Sequence, residues 1–124
     1  MTTGDERPPI WVGHVVMRTS RIEQSERFFR GLGMRFIERD GNAVILELRG
    51  GTHLVLLEED DVAAGDASFD LMVEDIDAAH RKCEELGGAP SAIQKGKIHR
   101  TFRATDPTGG TITFYDSHVS KFAV

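Results

Sequence analysis

The chain repeats itself, and the repeat limits the fold more than any other feature. Displacing the sequence by 54 positions lays Val15 on Phe69, Met17 on Leu71, Ile22 on Ile76, Phe29 on Cys83, Leu32 on Leu86 and Gly33 on Gly87. Each copy reads as a short strand, a turn and an amphipathic helix ended by glycine. Ile22, Phe29 and Leu32 in the first helix share one face, as do Ile76, Ala79, Cys83 and Leu86 in the second. Ser20 with Glu23 has the spacing of a capping box, and Asp75 is placed to cap the second helix. Gly33 and Gly87 supply the left-handed residue at which helices commonly stop.

Strand-like runs follow each helix. In the first half they cover roughly Arg35 to Arg39, Ala43 to Arg49 and His53 to Glu58, separated by Asp40-Gly41 and Gly50-Gly51. In the second half they cover roughly Ala92 to Gln94, His99 to Thr105 and Thr111 to Tyr115. Lys95-Gly96 and the run from Asp106 to Gly110 are the turns between them. The plan is strand, helix and three strands, twice over. Residues 1–9 are expected to form a loose tail and 10–124 one domain. Within it, module one spans 10–58, an acidic linker 59–66 and module two 67–118.

Composition closes off several functions. A formal charge of -5 argues against a general nucleic-acid binder, because phosphate affinity needs clustered Lys and Arg. The acidic run from Glu58 to Asp61 reads as a solvated linker. No apolar run nears the roughly 20 residues of a membrane span, and the start has no secretion-signal pattern. The single Cys83 excludes an internal disulfide and cannot build a thiolate metal site alone. A cytoplasmic location fits these features.

Three stretches carry a family resemblance. The first runs from Arg21 to Met34, with Ser25, the pair Phe28-Phe29, and Leu32-Gly33. The second runs from Val73 to Ala79 through Asp75, Ile76 and Asp77. The third runs from Asp106-Pro107 through Gly109 to Ile112, Thr113 and Phe114. In this order the chain resembles the vicinal oxygen chelate superfamily, which includes glyoxalase I, bleomycin-resistance proteins and extradiol dioxygenases. The resemblance implies an α+β fold of two βαβββ modules, whose curved mixed sheets enclose a cavity. It also implies a small-molecule ligand and a homodimer.

Metal-dependent members of that family hold an ion with four inward side chains, two per module. Carried onto this sequence, the positions fall on His14, Leu56, Ser68 and Thr113. Only His14 matches, since acids or histidine are usual at the others. One histidine, a leucine and two hydroxyls cannot neutralise a divalent ion that needs about three or four N, O or S ligands. No metal or other cofactor is therefore expected. A register slip of one residue could move Leu56, but it would have to occur on two strands to restore a site; Glu58, Asp70 and His99 are the substitute ligands should an ion bind.

Strand alternation then suggests the cavity lining. Val12, His14 and Val16 share one face of the first strand; Ser68, Asp70 and Met72 share one face of the fifth. Thr111, Thr113 and Tyr115 share a face of the last strand, and His99, Thr101 and Arg103 one of the strand before it. His14, His99 and Tyr115 are candidates for acid–base chemistry. Ser68, Asp70, Thr101, Arg103 and Thr113 are candidates for ligand binding, with Arg103 suited to a carboxylate or phosphate. Each residue also has a plain structural role open to it. Arg103 and Asp70 can form a mere ion pair, His14 can be a hydrogen-bonded residue without a task, and Tyr115 can be packing. His53, His80 and His118 are expected to be exposed or helix-side, and Cys83 to be core. Two functions stand against each other. One is a metal-independent small-molecule binder. The other is a divalent-metal-dependent or metal-free lyase, isomerase or dioxygenase of the same superfamily, acting on a small carbonyl or diol substrate.

Overall fold

The computed structural model describes residues 6–117. His118 and the first five residues lie outside that range, so the expectations placed on them are not addressed. The first module comprises β1 (His14–Thr19), α1 (Ile22–Gly31), β2 (Arg35–Asp40), β3 (Ala43–Glu47) and β4 (His53–Glu58), with a short 3-10 turn at Arg49–Gly51. The second comprises β5 (Leu71–Val73), α2 (Ile76–Glu85), β6 (Gln94–Lys95), β7 (Arg100–Thr105) and β8 (Thr111–Asp116). The strands order themselves β1-β4-β3-β2 in one sheet and β5-β8-β7-β6 in the other. In each sheet the first strand lies parallel to the last, and the remaining pairs are antiparallel. The two orders are the same, as a repeated unit requires.

One face of each sheet is covered by its own helix. Helix α1 packs on β3 and β4, and α2 on β7 and β8. Toward the helices the strands bury Met17, Val44, Leu46, Leu54 and Leu56 in the first module and Leu71, Phe102, Ala104, Ile112 and Phe114 in the second. The rings of Phe102 and Phe114, a registered cross-strand pair, stack at 4.6 Å. This core is where the stability resides, at about 1.5–3 kcal/mol per large side chain buried. The opposite faces stay open: His14 and Val16 on β1 and Met72 beside β8 are exposed.

The helix ends show what the spacing resolves and what it does not. Asp75 caps α2, its Oδ1 accepting from the Ala78 amide at 3.0 Å. The expected box of Ser20 and Glu23 does not form. Arg21 occupies the cap position of α1 without a side-chain bond, and its amide donates instead to Thr19 Oγ1 at 3.0 Å. Thr19 is fully buried and shares a 2.7 Å hydrogen bond with the buried Ser25 hydroxyl. The buried Thr19 hydroxyl, not Ser20, thus makes the side-chain bond at this turn, accepting from the amide of the cap residue and not from a helical one. Gly33 and Gly87 both adopt positive φ, +118° and +80°, at matching points of the two modules.

The modules meet through these helices and the segments after them. A methyl group at Gly31 would come within 2.6 Å of Leu86, and one at Gly88 within 3.0 Å of Phe28 and 3.1 Å of the Cys83 carbonyl. Strand β5 is shorter than the sequence suggests. Regular pairing begins only at Leu71, with an isolated bridge between Asp66 and Thr111 before it. Asp66, Ser68 and Asp70 favour local turns over a pleated ladder, so Ser68 and Asp70 lie on a loop. No helix among the described residues is long and apolar enough to cross a membrane.

Candidate functional site

Most of the candidate residues converge on the open face of the second sheet. A pocket of about 260 Å³ is lined by Asp66, Ser68, Asp70, Arg103, Thr111, Thr113 and Tyr115, with Ala67 and Phe69 completing it. Strand pairing explains the convergence. Arg103 lies opposite Thr113 and Thr101 opposite Tyr115 on the antiparallel β7–β8 pair, and the period of two turns Arg103, Thr113 and Tyr115 away from the core. The loop before β5 supplies Ser68 and Asp70. His99 lies just before β7, and its ring meets that of Tyr115 edge to face at 5.1 Å. Its Nδ1 is 3.7 Å from Asp116 Oδ1.

The ion pairing differs from the expectation. Arg103 donates to Asp66, at 2.6 Å, and not to Asp70. Asp66 stands at the end of the acidic linker, and the bridge to Thr111 brings it to this face. Among the described residues, Asp70 has no hydrogen bond or ion pair, and the side chains of Ser68, Thr113 and Tyr115 make no hydrogen bond to another protein group. The hydroxyls of Ser68, Thr113 and Tyr115 and the carboxylate of Asp70 therefore face the pocket with free hydrogen-bonding capacity.

His14 lies apart from this group, on the open face of the first sheet. Its ring sits 5.7 Å from that of His53, its registered partner on β4, at an angle of 61°. His53 Nε2 pairs with Glu47 Oε2 at 3.1 Å, and Glu47 Oε1 accepts from Arg35 Nε at 3.0 Å. The hydrogen bonds from Arg35 and then His53 hold the Glu47 carboxyl below the usual carboxylate range. His53 lies on the open face and not on the helix side, because the phase of β4 is opposite to the one that would turn Leu56 inward. Leu54, Val55, Leu56 and Leu57 are all apolar, so alternation says nothing about which pair faces the helix. The parallel register of His14 with His53 would have settled it.

That phase also corrects the carried-over metal position. Leu56 is fully buried on the helix side; Val55 and His53 are the β4 residues on the face of His14. The donor set still does not fit the family's metal. The second module offers Ser68 and Thr113 at its two positions, and Glu47 is already engaged by Arg35 and His53. Among the described residues, no group of three or more His, Cys, Asp or Glu side chains is placed to hold an ion. Asp70, His99 and the exposed Glu58 do not restore one.

The remaining candidates have structural tasks. His80 bonds the Ser91 carbonyl at 2.9 Å and packs edge-on against Phe102 on the helix side. Cys83 is wholly buried, and burial pushes its thiol up to about 11, so no thiolate is available near neutral pH.

Comparison with known proteins places this arrangement. Residues 11–117 match the sequence profile of the Glyoxalase/Bleomycin resistance protein/Dioxygenase superfamily. The chain belongs to that superfamily. Comparison with curated proteins gave no match. Among solved structures it is similar to lactoylglutathione lyase from Agrobacterium tumefaciens, at 16% identity and a TM-score of 0.72, covering 90% of this chain and 96% of the other. It is similar to TnmS3, an antibiotic binding protein from Streptomyces sp. CB03234, at 19% identity and a TM-score of 0.72, covering 90% and 100%. TioX from Micromonospora sp. ML1 gives 14% identity and a TM-score of 0.72, covering 86% and 98%. At such identities the likeness establishes the two-module fold and leaves the chemistry to the site.

Proposed function

We propose that the protein binds a small organic molecule on the open face of its second module, without a resident metal ion. The observation that carries this reading is the pocket itself. Ser68, Asp70, Thr113 and Tyr115 converge with free hydrogen-bonding capacity, while the donors of a metal site are not assembled. A handful of placed polar groups beside an apolar cleft is the usual make-up of a ligand site. An antibiotic binding protein among the similar structures supports a binding role.

A second reading, a metal-free acid–base enzyme, is favoured by one contact. The His99 ring against Tyr115 places an imidazole beside a phenol at the pocket's edge, a pair able to exchange a proton with a bound carbonyl compound. His14 belongs to that reading only if a ligand extends across to the first sheet. A lyase among the similar structures is its parallel.

The protein is proposed to work as a homodimer in a reducing compartment such as the cytoplasm, where the lone thiol of Cys83 remains free. Exposed apolar side chains on and before β1 support the dimer: Ile10, Trp11 and Val12 are 81%, 68% and 59% exposed. Thermal shift against a panel of glutathione thioesters, aromatic diols and cationic drugs tests the binding role. A ligand that stabilises the wild type but not Thr113→Val or Tyr115→Phe supports it. A ligand stabilising all three proteins equally places binding elsewhere.

A further inference from the structure

Two cavities share one residue, and that residue carries the only charge in either that is left unpaired among the described residues. The polar pocket of about 260 Å³ includes Asp70. So does a larger cleft of about 510 Å³ between the modules, whose walls are mostly apolar: Leu32, Met34, Leu71, Met72, Val73 and Phe114. In the pocket the other charges cancel, with Arg103 held by Asp66 at 2.6 Å. In the cleft they cancel too, with Arg49 paired to Glu74 at 3.0 Å. What remains is the carboxylate of Asp70, at the junction of an apolar cleft and a polar pocket.

Resting on the small-molecule reading above, we propose that the ligand is an amphipathic organic cation, an amine borne on an apolar ring or chain. The apolar body occupies the cleft, where Met72 otherwise leaves 46% of its surface exposed. Asp70 accepts hydrogen bonds from the ammonium, an ion pair stronger than a neutral hydrogen bond because both partners are charged. Ser68, Thr113 and Tyr115 serve polar substituents on the far side of the nitrogen. Arg103 is not the recognition element. An anionic ligand would have to displace Asp66 from it and would meet Asp70 unscreened.

Three probes of nearly equal shape separate the possibilities: 2-naphthylmethylamine, 2-naphthylmethanol and 2-naphthoate. Isothermal titration of each is run on the full chain, on Asp70→Asn and on Asp66→Asn at neutral pH. The ammonium is expected to bind about tenfold more tightly than the alcohol, with the carboxylate weakest. Asp70→Asn is expected to erase that preference by weakening the ammonium about tenfold, with the alcohol changing far less. Asp70 is exposed and has no partner to lose, so the variant folds normally. Tightest binding by the carboxylate, strengthened further in Asp66→Asn, would overturn the proposal in favour of Arg103. Equal binding of all three probes would overturn the charge selection and leave the small-molecule reading standing. No binding by any of them overturns this proposal and leaves the small-molecule reading to the ligand panel above.

Discussion

Among single residues, Thr19 and Cys83 have the most definite consequences. Thr19 Oγ1 accepts from the Arg21 amide at the part-buried turn and shares a fully buried hydrogen bond with Ser25. Thr19→Val keeps the shape and strands two polar groups, so it should cost about 1–3 kcal/mol in chemical denaturation. Ser20→Ala, by contrast, removes no bond of the helix start and should fall within about 0.5 kcal/mol of wild type. Cys83 gives a pH signature. Its folded-state thiol titrates at about 11, against 9.0 for the free side chain. The neutral form is therefore the one the fold favours. Its contribution is fully present below pH 9.0 and is lost as pH rises through about 11. Denaturation midpoints measured across that window should fall more steeply for wild type than for Cys83→Ala. Equal slopes would show that the thiol is not held neutral by burial.

Elements in this protein are fixed by features of very different clarity. The two helices are legible because their apolar spacing and terminal glycines recur 54 residues apart, and the strand runs have counterparts in the sheets, although β6 covers Gln94–Lys95 and not Ala92 to Gln94, so Lys95 pairs where a turn is expected. Strand phase was legible only where polar and apolar residues alternate. On β7 and β8, Arg103 and Thr113 sit between aromatic and aliphatic neighbours, and the face they share with Tyr115 follows directly. On β4 four apolar residues in a row hide the phase, so alternation cannot tell that Leu56 faces the helix and His53 the open side. The Arg103–Asp66 pair was beyond the sequence altogether, since only the bridge to Thr111 brings the linker to that face. Element contacts also set a test of helix packing. Gly88 lies where a methyl group would press on the buried Phe28 ring and on the Cys83 carbonyl. Gly88→Ala is expected to destabilise by about 1–3 kcal/mol through overpacking. Asp75→Ala, which removes the cap of α2, should cost about 1 kcal/mol. Thermal melts of the two variants check both.

At the scale of the whole molecule, each sheet has a core on one side and an open face on the other. The exposed apolar residues Ile10, Trp11 and Val12 adjoin the open face of the first module. A dimer formed there would bury Trp11, the sole tryptophan, so its emission should shift to the blue as concentration rises through the association range. Sedimentation should show the mass doubling over that same range. A monomer at all concentrations, with unchanged emission, would contradict the dimer. Ligand binding without a metal is decided by measuring metal content, and affinity for one bound ligand, before and after exhaustive chelation. No stoichiometric divalent ion and an unchanged Kd are expected. A stoichiometric ion whose removal abolishes binding would overturn the metal-free reading.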